Sequence, residues 1–295
     1  MILRYAAKTS LKAWRLNGIE RDSPIDSCRH HRTNQELLRR PRLQFYEFRV
    51  PSTVIEQLRD RIERLAAPRS GRDTLAFGVD EIDRVLPGGG LAVGALHEVA
   101  GGGNGSVHGA AAALFAAGIA GRTKGKVLWC FTRADLFAPA VAQAGLPASR
   151  VIFVECGDEK TVLACFEEGL RHKGLGAAVA EVARLSMTGS RRLQLAAEAS
   201  GTIGIAIRRW HRQAEAADFG QPTAATTRWR VTALPSTPLP VPGVGRARWQ
   251  LELIRCRAGE SADFIVEACD AKGRLGLPAD LAHRPLAQDA WRTSA

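Results

Sequence analysis

The stretch from Leu75 to Ala120 constrains this chain more than any other. Phe77-Gly78-Val79-Asp80 leads into Glu81 to Leu86, where apolar residues are spaced as on one helical face, and Pro87-Gly88-Gly89-Gly90 ends that helix. Leu91 to Ala100 reads as a buried strand. Gly101-Gly102-Gly103-Asn104-Gly105-Ser106 follows as a glycine loop, and Val107 to Ala120 as a helix of small apolar residues suited to close packing on a sheet. Strand, glycine turn and helix in this order build a phosphate-binding loop, because glycines let backbone N–H groups converge on phosphate oxygens at a helix N-terminus.

The side chains test that reading. In the register G-x-x-x-x-G-K-[ST], Gly101 takes the first position and Ser106 the second glycine. Val107 takes the lysine and His108 the hydroxyl residue that would hold magnesium. The next lysine, Lys124, lies beyond the whole helix. The expectation is a loop that keeps its shape and has lost hydrolysis. His108 is read as a cap of the helix.

A chain of 295 residues, 45% of them hydrophobic, can bury a substantial core. No apolar run reaches the ~18 residues of a membrane span, and the first residues lack a secretion signal, so a cytoplasmic protein with no membrane partner is expected. The six cysteines form no C-x-x-C pair, which argues against zinc and against a disulfide framework. No H-E-x-x-H, H-x-x-E-H or G-x-S-x-G is present, so a metallohydrolase or serine hydrolase is unsupported. The net charge of +11 is concentrated near the N-terminus: residues 1–72 carry +8 and residues 73–295 carry +3. A basic arm suits either phosphate contact or a solvated, disordered extension, and the second is the reading adopted.

Four segments follow. Residues 1–52 read as a disordered basic extension, residues 53–72 as an amphipathic helix carrying Val54, Leu58, Ile62 and Leu65, residues 73–280 as the core and residues 281–295 as a flexible tail. Within the core, strands are read at Lys126–Phe131, Val151–Val154, Ala177–Val182 and Thr202–Ile207. Helices are read at Leu136–Ala144, Lys160–His172 and Ser190–Ser200. Such alternation implies an α/β fold, a mostly parallel sheet flanked by helices. The last third adds a strand at Arg228–Leu234 and an antiparallel hairpin, Arg246–Arg255 with Asp263–Cys269, in which Trp249, Leu251 and Leu253 share one face. Arg228, Arg230, Arg246 and Arg248 are read as pointing away from that apolar side, into solvent.

Phe77 to Gly101 and the element order after it resemble the RecA-like P-loop NTPase core, and within that group the ImuA family of RecA-like DNA-repair accessory proteins. The resemblance covers residues 53–280. Thr202 to Arg208 is similar to the RecA strand that ends N-Q-I-R, and Phe219-Gly220-Gln221-Pro222-Thr223 to the F-G-N-P-E segment of its second DNA-binding loop.

The resemblance implies where working residues should stand. The water-activating glutamate falls on Arg133, with Asp135 pointing elsewhere, and the γ-phosphate-sensing glutamine on Ala206. Glu181 falls at the acidic end of the Walker B strand. The degenerate nucleotide site is therefore Gly101, Gly102, Gly103, Asn104, Gly105, Ser106, Val107, His108 and Glu181. No catalytic residue and no cofactor are expected, with ATP and magnesium as the alternative. Met187 to Arg192 takes the first DNA-loop position. Arg208, Arg209, Trp210 and Arg212 open the second, where guanidinium groups and an indole suit single-stranded DNA; helix-face arginines and a core tryptophan have the same composition.

The function implied is a non-catalytic pseudo-ATPase acting in SOS-induced DNA repair and error-prone translesion synthesis, associated with the nucleoid on DNA damage. Its implied partners are an ImuB-type Y-family-like protein, an error-prone replicative-type DNA polymerase, the RecA filament and single-stranded DNA. The alternatives are a slow ATPase using Lys124 or Lys126 and a SulA-like cell-division inhibitor.

Overall fold

The computed structural model describes residues 2–4, 73–103, 105–210, 213–237, 239 and 241–278. The helix read at 53–72, the tail from 281, and Asn104 and Arg212 lie outside them. Chain contacts divide the molecule into two units, 7–66 and the remainder; the described residues belong to the second.

The core is a sheet of nine strands. In chain order these are β1 (Ile2–Arg4), β4 (Leu96–Gly101), β5 (Lys126–Phe131), β6 (Val151–Glu155), β7 (Leu175–Val182), β8 (Ile203–Arg208), β9 (Thr227–Leu234), β10 (Arg248–Cys256) and β11 (Ala262–Glu267). Their spatial order is β1-β6-β5-β7-β8-β4-β9-β10-β11. Pairing is parallel from β1 through β9 and antiparallel from β9 to β11. This is the mixed α/β architecture that the alternation implied. A small second sheet pairs β2 (Thr74–Leu75) with β3 (Leu91–Ala92).

Helices cover both faces. On one, α2 (Ser106–Gly121) packs on β4, β7, β8 and β9 and buries Ala112, Phe115, Ala116, Ala117 and Ile119 against Val99, Val179, Ile205, Ile207 and Trp229. Its alanines let the helix backbone lie close to the sheet. On the other face, α4 (Glu159–Arg171) and α5 (Met187–Ser200) bury Val162, Phe166, Leu170, Leu193 and Ala197 against Leu96, Cys130, Ala178, Ala180 and Ala206. Odd and even residues of each central strand serve opposite faces, so these strands are apolar throughout, as doubly covered parallel strands must be. The short helices α1 (Asp80–Asp83) and α3 (Ala138–Gln143) complete the α2 side.

Four readings change. The strand read at Leu91–Ala100 is two strands, β3 and β4, parted at Gly94, whose φ of 67° breaks the extended run. Residues 2–4, read as part of a disordered extension, add a parallel edge strand to β6; three residues are too few to show a period. Met187–Arg192, read as the first DNA loop, is the opening of α5: the Ser186 hydroxyl accepts from the Gly189 N–H at 3.1 Å and starts the helix there. Arg228, read as solvent-facing, is 6% exposed, because the segment around Phe219 covers its face of β9.

Candidate functional site

A cleft of about 660 Å³ opens where β4, β7 and β8 end, between the glycine loop, the segment Asp135–Val141 and the residues Arg208–Trp210. Open parallel sheets bind ligands outside the carboxyl ends of their strands, which is where the loop reading placed a nucleotide.

The glycine loop is folded tightly at its base. The Gly102 N–H donates to the Val231 carbonyl at 2.8 Å, and a Cβ on Gly102 would fall 1.7 Å from Thr232 Oγ1. Gly105 then turns the chain into α2 with φ 129°, ψ 162°, a conformation other residues avoid. Gly101, Gly103, Gly105 and Ser106 all line the cleft. Val107, at the lysine position, is 64% exposed. His108, read as a helix cap, is instead turned to β9, where its Nδ1 accepts from the Ala233 N–H at 3.2 Å; the helix start has no side-chain cap.

Glu181, at the penultimate position of β7, points to the α2 side and is 8% exposed. Trp129 Nε1 donates to one of its oxygens at 3.0 Å and Arg209 Nη1 to the other at 2.7 Å. Asp135, expected to point elsewhere, turns into the cleft and takes Arg209 in a fork, at 2.7 and 2.6 Å. The hydrogen bond from Arg209 holds the Asp135 carboxyl below its usual pKa, against a smaller effect of burial. Burial works to lower the Arg209 pKa, yet its bonds to Asp135 and Glu181 push it up.

Arg208 points to the opposite face, as strand periodicity requires, and its side chain is wholly covered. It pairs with Glu98 of β4 at 2.9 Å, with the Ala183 carbonyl at 2.8 Å and with Asp218. Arg228 reaches the other oxygen of Glu98 at 3.3 Å, and Thr223 also donates to Glu98. The Phe219 ring lies under both guanidinium groups, at 6.0 and 5.1 Å, with Trp210 tilted against it. Of the residues read as single-strand contacts, Arg208 is therefore inside the protein, Arg209 is held by two carboxylates, and Trp210 lines the cleft. Arg191 is exposed, while Arg192 pairs with Glu167 of α4 at 2.6 Å.

ATP and magnesium do not fit these residues. The lysine and hydroxyl positions carry Val107 and a His108 engaged elsewhere, both oxygens of Glu181 are already taken by Trp129 and Arg209, and Arg133, the position that the resemblance gives to the general base, is an exposed cation. What remains open is apolar: Leu114, Leu136, Phe137 and Val141 line the walls, and Phe137 is 69% exposed. Sequence reading missed Glu98, whose partners lie 110 and 130 residues away, and Asp218, which meets Arg208 ten residues away across an irregular segment. It could have placed Arg209 beside Glu181 by carrying the two-residue period of β8 one step further.

The chain is 40% identical over 216 residues to Protein ImuA of Caulobacter vibrioides strain NA1000 / CB15N, which spans 70% of this chain and 88% of that protein. The chain belongs to the ImuA family. Protein ImuA of Caulobacter vibrioides strain ATCC 19089 matches with the same identity and coverage. The chain matches no protein-family model. Among solved structures, the RadB recombinase is similar at a TM-score of 0.48 and 16% identity, over 68% of this chain and 98% of that one. Among the described residues of this ImuA family member, no helix is long and apolar enough to cross a membrane and no group of side chains is arranged to hold a metal ion.

Proposed function

We propose that the chain is a non-catalytic RecA-like accessory protein in SOS-induced DNA repair and error-prone translesion synthesis, acting through protein partners. The observation that carries this reading is the state of the cleft: a glycine loop without its lysine, facing a Walker B position already paired with Arg209. Membership of the ImuA family supports the accessory role. The partners proposed are an ImuB-type Y-family-like protein, an error-prone replicative-type polymerase and the RecA filament. Direct contact with single-stranded DNA through Arg208 has no support, since that side chain is covered. The ATPase alternative is also disfavoured, because Lys124 and Lys126 stand at the start of β5, the opposite end of the sheet from the glycine loop.

Two measurements test the proposal. Purified full-length protein should turn over no ATP above background, and turnover that Glu181→Ala abolishes overturns the non-catalytic reading. From DNA-damaged cells, the tagged protein should enrich the ImuB-type protein or RecA by immunoblot; failure to enrich either one overturns the partner assignment.

A further inference from the structure

We infer that Arg209 is the resident cation of the cleft, standing where a pair of strand-end carboxylates would otherwise take a divalent metal, so that the cleft works without one. The inference deepens the non-catalytic reading and rests on it.

The sheet itself delivers the residue. β7 and β8 run parallel with Glu181 opposite Ile207, and both serve the α2 face. Pairing continues one residue past β8, where the Arg209 N–H donates to the Val182 carbonyl at 2.9 Å. Arg209, two residues after Ile207, is thereby placed on the same face as Glu181, at the mouth of the cleft.

Its guanidinium then uses the donors that matter. Nη1 serves Glu181 and one oxygen of Asp135, and Nη2 serves the other oxygen of Asp135. Trp129 takes the remaining oxygen of Glu181. All four carboxylate oxygens are engaged by N–H donors, three of the bonds at the short lengths typical of charge-assisted pairs. Magnesium demands near-octahedral oxygen ligands at about 2.1 Å and gives up its water reluctantly. It would have to displace a delocalised cation that already fits both carboxylates. The pair without Arg209 carries two uncompensated negative charges. With it, the three groups carry a single net negative charge, which gives a triphosphate no electrostatic reason to enter.

Manganese is the probe, followed by electron paramagnetic resonance on the full chain. The wild type should leave Mn2+ free in solution. Arg209→Ala should bind one Mn2+ at least about tenfold more tightly than the wild type, and Arg209→Ala/Glu181→Gln should lose that gain. Arg209→Lys, which keeps a cation, should resemble the wild type. If Arg209→Ala does not fold by circular dichroism, Arg209→Gln, which keeps an N–H donor without the charge, serves instead. Wild-type Mn2+ binding that Glu181→Gln abolishes overturns the inference, as does a folded neutral variant that gains no site. ATP turnover is read separately: hydrolysis by a wild type that takes no Mn2+ at this site would fail the non-catalytic reading and leave the role of Arg209 standing.

Discussion

Arg208 and Glu98 face each other at 2.9 Å between adjacent parallel strands, with both side chains wholly excluded from solvent. Arg228 and Thr223 complete the set around the same carboxylate. Without Glu98, Arg208 keeps Asp218 while Arg228 keeps only carbonyls and the Thr223 hydroxyl, so one buried cation loses its counter-charge. Breaking a buried ion pair in this way costs about 3–5 kcal/mol, whereas a well-packed apolar replacement of the whole group costs far less. Glu98→Ala should therefore lower the urea midpoint sharply, by a free energy in that range. A loss below about 1 kcal/mol would show the two guanidinium groups finding water or other acceptors.

His97 gives the fold a pH dependence. Its ring is buried, with Nε2 donating to the Ala92 carbonyl at 3.0 Å and Nδ1 accepting from the Thr227 hydroxyl at 2.8 Å. Burial is the main cause that lowers its pKa from 6.5 to about 4, opposed by the Ala92 bond. The unfolded chain takes up the proton first as pH falls, so stability contributed by the neutral ring is present above pH 6.5 and lost between 6.5 and 4. The slope approaches about 1.4 kcal/mol per pH unit within that window. Denaturant titrations at pH 7.0 and 4.5 should show this loss, and His97→Asn should reduce it; an unchanged slope in the variant would assign the loss to other groups.

Restoring the loop residues alone should not restore an ATPase. Val107→Lys/His108→Thr supplies the missing cation and hydroxyl, yet Glu181 stays held by Arg209 and Trp129, and Asp135, the carboxylate that lines the cleft, stays held by Arg209. Loss of the His108 bond to Ala233 should also loosen the loop, by about 1 kcal/mol. Steady-state phosphate release from the double variant should remain at background. Release dependent on magnesium would mean that the cleft needs only its loop side chains.

Gly102→Ala tests the fit of the loop base against β9. The added methyl meets the Thr232 hydroxyl at 1.7 Å and the Thr232 Cβ at 2.8 Å, so either the loop or the strand must move. Overpacking of this kind costs about 1–3 kcal/mol. The melting temperature should fall and should recover in part with Thr232→Ala, which removes the hydroxyl that the added methyl meets and keeps the Cβ. A variant as stable as the parent would mean that Thr232 simply rotates away.

Periodicity made much of this fold legible. Lys126–Phe131 is a strand over the residues its apolar run marks, and Trp249, Leu251 and Leu253 share a buried face as their alternation indicates. Helix α5 stops at Ser200 because Gly201 adopts the left-handed conformation there. Elements of five residues or more carry their own period, whereas the two-residue and three-residue strands β1, β2 and β3 carry none.

The charges of the candidate site were less legible, and for one physical reason. Arg208 and Arg228 look like surface residues until Glu98, 110 and 130 residues earlier, is brought between them. Asp135 looks misplaced for the cleft until Arg209, 74 residues later, draws it in. Ion pairs across parallel strands join residues separated by whole crossover connections, so no local pattern announces them. Val107 and His108, by contrast, announced their departure from the loop motif within a single window of eight residues.

Neighbouring arginines at the end of β8, Arg208 within the strand and Arg209 just past it, take carboxylates on opposite faces of the sheet, which shows how strictly the two-residue period divides this edge of the fold. A one-residue shift would turn Arg209 toward the packed side that now holds Glu98 and Asp218, and Arg208 toward Asp135 and Glu181, while Ile205 and Ile207 would leave their own apolar layer. The two arginines could trade carboxylates, so the apolar layer is the latch: an inserted or deleted residue in Ile203–Arg208 would strand Ile205 and Ile207 on the wrong face of the sheet.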